Sequence, residues 1–142
     1  KKFPEIKIRL SEVDHPLYLE KGGSKWFSLP QADYPPVSDW ISDGDELQVG
    51  FEVLKAIHAP GHSSGHMMFY HAEGKTLFSG DVIFLSSIGR TDLPGGDHQT
   101  LLDSINHKVF TLPEETRILS GHGGETTVGY EKRNNPFAAV GL

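Results

Sequence analysis

The chain contains no cysteine among its 142 residues, which excludes a disulfide framework and any thiolate metal site. A cation could be held only by nitrogen and oxygen. The same absence suits a reducing, cytoplasmic compartment. Positive charge is scarce too: 13 Lys and Arg stand against 19 Asp and Glu, a net charge of -6. The densest basic cluster is Lys132-Arg133. Such a balance excludes the basic footprint by which proteins hold nucleic acid or an anionic membrane surface. Long hydrophobic runs are also missing. Nothing approaches the roughly 20 apolar residues that span a bilayer, and Lys1-Lys2-Phe3-Pro4-Glu5 lacks the apolar core of a signal peptide. No starting Met is present, so the chain is expected to begin partway through a longer product or to be processed.

What the chain does have is one phrase written twice. Thr76-Leu77-Phe78-Ser79-Gly80-Asp81 and Arg117-Ile118-Leu119-Ser120-Gly121-His122 each run from a short apolar strand through Ser-Gly to a metal-type ligand. A third variant, Ala59-Pro60-Gly61-His62, follows the strand-like run 51–57. Glycine lets the backbone turn sharply at a strand end without a Cβ penalty. Three strand ends that each present a His or Asp just past a glycine suggest ligands converging at the mouth of a sheet. Imidazole with carboxylate suits zinc, iron or manganese.

A length of 142 residues predicts one domain over 1–142, or a piece of one, with a substantial core. Ile6, Ile8 and Leu10 alternate with charged residues as in a half-buried strand, and Ser11-Glu12-Val13-Asp14 reads as a capping box. Residues 24–39, with Pro30, Pro35 and Pro36, read as a surface loop. Residues 46–49 and 51–58 form a hairpin around Gly50, and 66–71 with 76–78 form another. Asp97 is the N-cap of a helix whose apolar positions Leu101, Leu102, Ile105, Val109 and Phe110 keep a 3.6-residue rhythm up to Pro113. A last buried strand covers 117–119, and a short helix runs from about Thr127 to Asn135-Pro136. Hairpins first and helices between later strands indicate an α/β or α+β class with a mixed sheet. His66 and His58 are read as hydrogen-bonded to backbone. His15, His71, His98 and His107 are read as solvated helix or turn positions, and Met67-Met68 as core filler.

Five segments stand out together: His58-Ala59-Pro60-Gly61-His62-Ser63-Ser64-Gly65-His66, Phe78-Ser79-Gly80-Asp81, Ile88-Gly89-Arg90-Thr91-Asp92-Leu93-Pro94-Gly95-Gly96-Asp97, Ser120-Gly121-His122-Gly123-Gly124-Glu125-Thr126-Thr127, and the tail Glu131-Lys132-Arg133-Asn134-Asn135-Pro136-Phe137. In this order and spacing they resemble the metallo-β-lactamase superfamily, and within it the glyoxalase-II-like hydrolases. The likeness runs from about Ile6 to Phe137. It implies an αββα sandwich of which this chain is the C-terminal portion only. The family's first metal motif, His-x-His-x-Asp-His, does not occur here, since no two histidines are separated by a single residue.

The resemblance implies a metal-dependent hydrolase of a glutathione thioester, such as S-lactoylglutathione, with the active site incomplete in this chain. It implies zinc, one ion or two, with iron or manganese as alternatives. His62 would then belong to the first metal site and His122 to the second. Asp81 would be the carboxylate that bridges them and takes part in catalysis, and Arg90 the cationic contact for the glutathione end. A persulfide dioxygenase-like enzyme with one iron, and a non-catalytic half of a split hydrolase, are the alternatives. The expected partners are the small-molecule thioester and either a second copy of the chain or a companion N-terminal fragment.

Overall fold

The computed structural model describes residues 6–28 and 33–138. The chain divides into two compact units, Lys1–Ile41 and Ser42–Leu142. In the first, β1 (Arg9–Leu10) pairs in parallel with β2 (Asp39–Trp40), so the predicted strand is shorter than its alternation suggested and finds a partner at the end of the predicted loop. Part of that loop, residues 29–32, lies outside the described residues. The expected capping box is not made. Ser11 forms no side-chain cap, and a 3-10 turn (Glu12–Asp14) precedes the five-residue helix α1 (His15–Leu19), which carries Pro16 in its first turn. The Asp14 N–H that such a box would use donates instead to the Ser11 backbone carbonyl at 3.1 Å, and the Pro16 ring fixes where the helix starts.

The second unit carries the sheet. Its six strands are β3 (Glu46–Val49), β4 (Glu52–His58), β5 (Met67–His71), β6 (Thr76–Gly80), β9 (Arg117–Ser120) and β10 (Thr126–Thr127), in the spatial order β10-β9-β6-β5-β4-β3. A separate hairpin, β7 (Ile83–Phe84) with β8 (Ser87–Ile88), leaves the end of β6. The hairpins expected from the sequence are present. The mixed character comes from β6 and β9, which pair in parallel after a helical crossover. That crossover is α2 (His98–Ser104), continued by one π-turn (Ile105–Val109). Asp97 caps it, its carboxylate accepting the Thr100 N–H at 2.7 Å. α3 (Val128–Asn134) closes the unit, with Thr127 as its N-cap.

The register explains the core. Lys55, Tyr70, Leu77 and Ile118 form one cross-strand row. On that face Leu77 and Ile118 are fully buried with Met68 against Leu101, Ile105 and Val109 of the crossover and Val128 of α3. The neighbouring row, Ala56, Phe69, Phe78 and Leu119, points the other way because strand side chains alternate. Phe78 on that face is 40% exposed.

Candidate metal centre

β4, β6 and β9 run in the same direction. β5 lies antiparallel between the first two, and β9 is parallel to β6. Their C-terminal ends therefore share one edge of the sheet, and each end carries one of the three predicted ligands. At the β6–β9 seam Gly80 pairs with Ser120, and the Gly121 N–H donates to the Gly80 carbonyl at 2.9 Å. A register shift between Phe78 and Gly80 re-aims the chain just before Asp81, a device common beside functional sites.

His62 is held from two directions. Its loop packs on the start of α2, where Gly61 adopts a φ of 129° and comes so close to the Leu101 backbone that a Cβ would collide with it. The Gly61 carbonyl accepts the Asp97 N–H at 2.8 Å, and the Pro60 carbonyl accepts the Ser104 hydroxyl at 2.7 Å. The imidazole is then set by Arg90. Nδ1 lies 2.9 Å from the Arg90 backbone carbonyl. A carbonyl can only accept, so Nδ1 carries the proton and neutral His62 presents the Nε2 lone pair. This is the backbone support typical of metal-ligating histidines.

Nε2 of His62 lies 3.6 Å from Asp81 Oδ2. Bonds of ~2.0–2.2 Å to a shared ion place neighbouring donors about 3–3.5 Å apart, so this pair fits one cation with little movement. The other oxygen, Oδ1, faces Gly121, on the side of His122. The imidazole of His122 stacks on Phe84, with ring centroids 4.4 Å apart and planes 25° from parallel. The Asp81 carboxylate thus has one oxygen toward His62 and one toward the strand end that bears His122. Among the described residues, these three do not form a set whose ligand atoms all lie within 4.8 Å of one another. The donor chemistry fits a divalent ion on the His62 side, with Asp81 reaching toward a second position.

All four residues named from the sequence, His62, Asp81, Arg90 and His122, line one cleft of about 480 Å³. Arg90 presents its guanidinium as a fork to Asp92, at 2.7 and 2.8 Å. The hydrogen bond from Arg90 holds the Asp92 carboxyl down at about 2, and the same bond raises Arg90 further. A larger cavity of about 670 Å³ opens between residues of β4, β5 and the crossover, but none of the four lines it.

Sequence reasoning missed three parts of this site. Phe84, which braces His122, reads in sequence as an ordinary strand residue. The hairpin β7–β8 supplies Leu85, Ser87 and Ile88 to the cleft wall. Its turn contains Ser86 at a φ of 56°, and the Ser86 N–H donates to both carboxylate oxygens of Glu131, at 3.2 and 3.1 Å. Glu131 is fully buried and also accepts from Thr126 Oγ1 at 2.6 Å and Asn135 Nδ2 at 2.7 Å. The glutamate-to-asparagine spacing on α3 was the available signal. Of the remaining histidines, His66 Nε2 donates to the Ser79 carbonyl and His58 Nε2 to the Ser64 carbonyl, as expected. His71 departs from its solvated reading: it is the last residue of β5, and Nε2 lies 2.7 Å from Glu52 Oε2.

Comparison with known proteins places this geometry. The family model described as the metallo-beta-lactamase superfamily matches residues 2–122. The hydroxyacylglutathione hydrolase GloC of Haemophilus influenzae is 43% identical over 112 residues, 78% of this chain and 53% of that protein. The crystal structure of the BLEG-1 B3 metallo-beta-lactamase superposes with a TM-score of 0.85 at 40% identity, covering 94% of this chain and 65% of the other. That of TTHA1623 in a di-iron-bound form gives 0.85 at 39%, covering 96% and 67%. The chain therefore spans about half to two thirds of the length of these relatives. With an αβ fold shared with those structures and a family match over most of its length, the chain belongs to the metallo-beta-lactamase superfamily.

Proposed function

We propose that the cleft serves a metal-dependent hydrolase of the glyoxalase II type, acting on a glutathione thioester such as S-lactoylglutathione in the cytoplasm. The observation that carries this reading is Asp81, whose two oxygens face His62 on one side and the His122 strand end on the other. The likeness to a hydroxyacylglutathione hydrolase supports the thioester. Zinc suits the nitrogen and oxygen donors, and iron or manganese would suit them too.

A divalent ion bound there would lower the pKa of water from about 15.7 to roughly 7 and stabilise charge growing on the acyl oxygen. The chain's own residues do the positioning. The Arg90 carbonyl fixes the His62 tautomer, Asp81 contributes negative charge beside the His62 imidazole, and Phe84 keeps the His122 ring flat against one wall. The Arg90 guanidinium, on the cleft lining, is the contact for a glutathione carboxylate. A thiolate leaving group needs no strong general acid, which agrees with a cleft wall that is partly apolar at Phe84, Leu85 and Ile88.

Thiol release from S-lactoylglutathione by the zinc-loaded chain tests the reading. Turnover is expected to be weak, because three donors divided between two positions hold metal loosely. It should vanish in Asp81→Asn. Thiol release equal to that of free zinc, or oxygen uptake with glutathione persulfide in its place, would overturn it.

A further inference from the structure

We propose that Glu52, His71 and Glu73 form a separate divalent-cation site of the zinc or manganese class, at the far end of β4 from the cleft. One ring nitrogen of His71 and one carboxylate oxygen from each glutamate lie within 4.8 Å of one another. Glu52 opens β4 and His62 follows its other end, so the two sites stand roughly 20 Å apart at about 3.3 Å per strand residue.

The register builds this cluster. Glu52 opens β4, His71 closes the neighbouring β5, and Glu73 stands in the turn that follows it, so the strand end and the turn bring the three side chains together. Two carboxylates held this close repel each other, and a cation between them reverses the sign. His71 satisfies Glu52 at 2.7 Å, whereas Glu73 has no hydrogen-bond or ion-pair partner among the described residues. Lys55 and Lys108 line the same cavity of about 670 Å³. Lys108 is bonded to the His58 carbonyl, and Lys55 forms no ion pair with either glutamate among the described residues.

A second observation comes from Gly74. The His71 ring rests against it so closely that a Cβ would collide with Nδ1 and Cε1. The turn thus provides a cradle that holds the imidazole over its neighbouring carboxylates, with the His71 side chain only 20% exposed. One imidazole and two carboxylates leave room for water to complete the shell, the usual make-up of a nitrogen-and-oxygen zinc or manganese site.

Titration of the full chain with zinc chloride, followed by calorimetry and by the imidazole 15N resonances, decides the matter. In His62→Ala one equivalent of zinc should still bind and move the His71 resonances. His71→Ala in that background should abolish this equivalent, and Glu73→Gln should weaken it at least tenfold with an unchanged circular dichroism spectrum. Glu73 is exposed and without a partner, so its variant keeps the test valid if His71→Ala does not fold. Zinc that binds with unaltered affinity in both variants, or without moving His71, would reduce the cluster to an ordinary His–Glu ion pair. Failure of the cleft reading would show separately, as binding unchanged by His62→Ala in a chain whose His71 equivalent is intact.

Discussion

The Asp81 carboxylate occupies the space that a side chain at Gly121 would need: a Cβ there would overlap Oδ1. The Ser-Gly step at the end of β9 therefore serves the neighbouring strand as much as its own, because the missing side chain of Gly121 lets the Asp81 carboxylate that follows β6 lie across the seam. Gly121→Ala is expected to push Asp81 out of line with His62 and to cost about 1–3 kcal/mol by overpacking. Metal affinity should fall at least tenfold. Gly124→Ala is the control, since a Cβ there would meet only Leu85 at an ordinary 3.5 Å. Zinc affinity equal in the two variants would remove Asp81 from the ligand set.

Arg90 divides its work between backbone and side chain, and the two parts can be separated. The carbonyl holds His62, so Arg90→Ala should leave zinc affinity within about twofold while raising KM for an anionic thioester about tenfold, a loss of ~1.4 kcal/mol. Equal losses in metal binding and KM would mean that the side chain also supports the metal site.

The same fork predicts an acid response. Asp92 in the folded chain titrates at about 2, below its ordinary 3.8, chiefly through the hydrogen bond from Arg90. A carboxyl lowered by folding contributes stability above its ordinary value and loses that contribution as pH falls through about 2. Both groups are exposed, so salt screens the effect and its size is small. A carboxyl carbon NMR titration should give a midpoint near 2 for Asp92, rising toward 3.8 in Arg90→Ala. An unshifted midpoint in the parent chain would show the fork to be open in solution.

Glu131 anchors the cleft wall from inside. Truncating it strands the buried Thr126 hydroxyl and one N–H of the Asn135 amide, whose nitrogen keeps its bond to the Ser87 carbonyl, and each unsatisfied buried donor costs about 1–3 kcal/mol. Glu131→Ala should therefore lower unfolding stability in urea by about 2 kcal/mol or more. Glu131→Gln keeps an acceptor and should lose less. In both, the turn at Ser86 loses support for its positive φ, so KM should rise more than kcat falls. A kcat loss at constant KM would assign Glu131 a part in the chemistry instead.

The contrast between Asp81 and Ser86 shows what a sequence makes legible. Asp81, His62 and His122 could be named because each follows a glycine at the end of an apolar run, a local signal with a local cause. The hairpin β7–β8 could not. Its turn uses Ser86, a residue with no preference for positive φ, and the conformation is imposed by a carboxylate 45 positions away. The same holds for His71, whose partner Glu52 is 19 residues distant and adjacent only once the strands pair. Ser11 shows the converse: a local capping pattern was present, but the structure makes no side-chain cap there. Alternation located the hairpin strands β3 to β6 well, whereas two-residue strands such as β10 offer no period to read.

The sheet itself leads to the last expectation. The row Ala56, Phe69, Phe78 and Leu119 places aromatic and aliphatic groups on the face away from the helices, with Phe78 40% exposed. At the β3 edge Val49 is 57% exposed, and Phe51 in the turn to β4 is fully exposed. Unpaired edge groups are a template for another strand, and covering one large apolar side chain contributes about 1.5–3 kcal/mol. We expect the chain to self-associate at micromolar concentration, or to take up a companion fragment that supplies strands to this face. Sedimentation should give a mass above that of the monomer, and Phe78→Ser together with Phe51→Ser should return it toward the monomer. The zinc affinity of the cleft should be unchanged by these two substitutions, since neither residue lines it. A parent chain that sediments as a monomer and unfolds in one cooperative step would show that these apolar groups are tolerated in water and that the face has no partner.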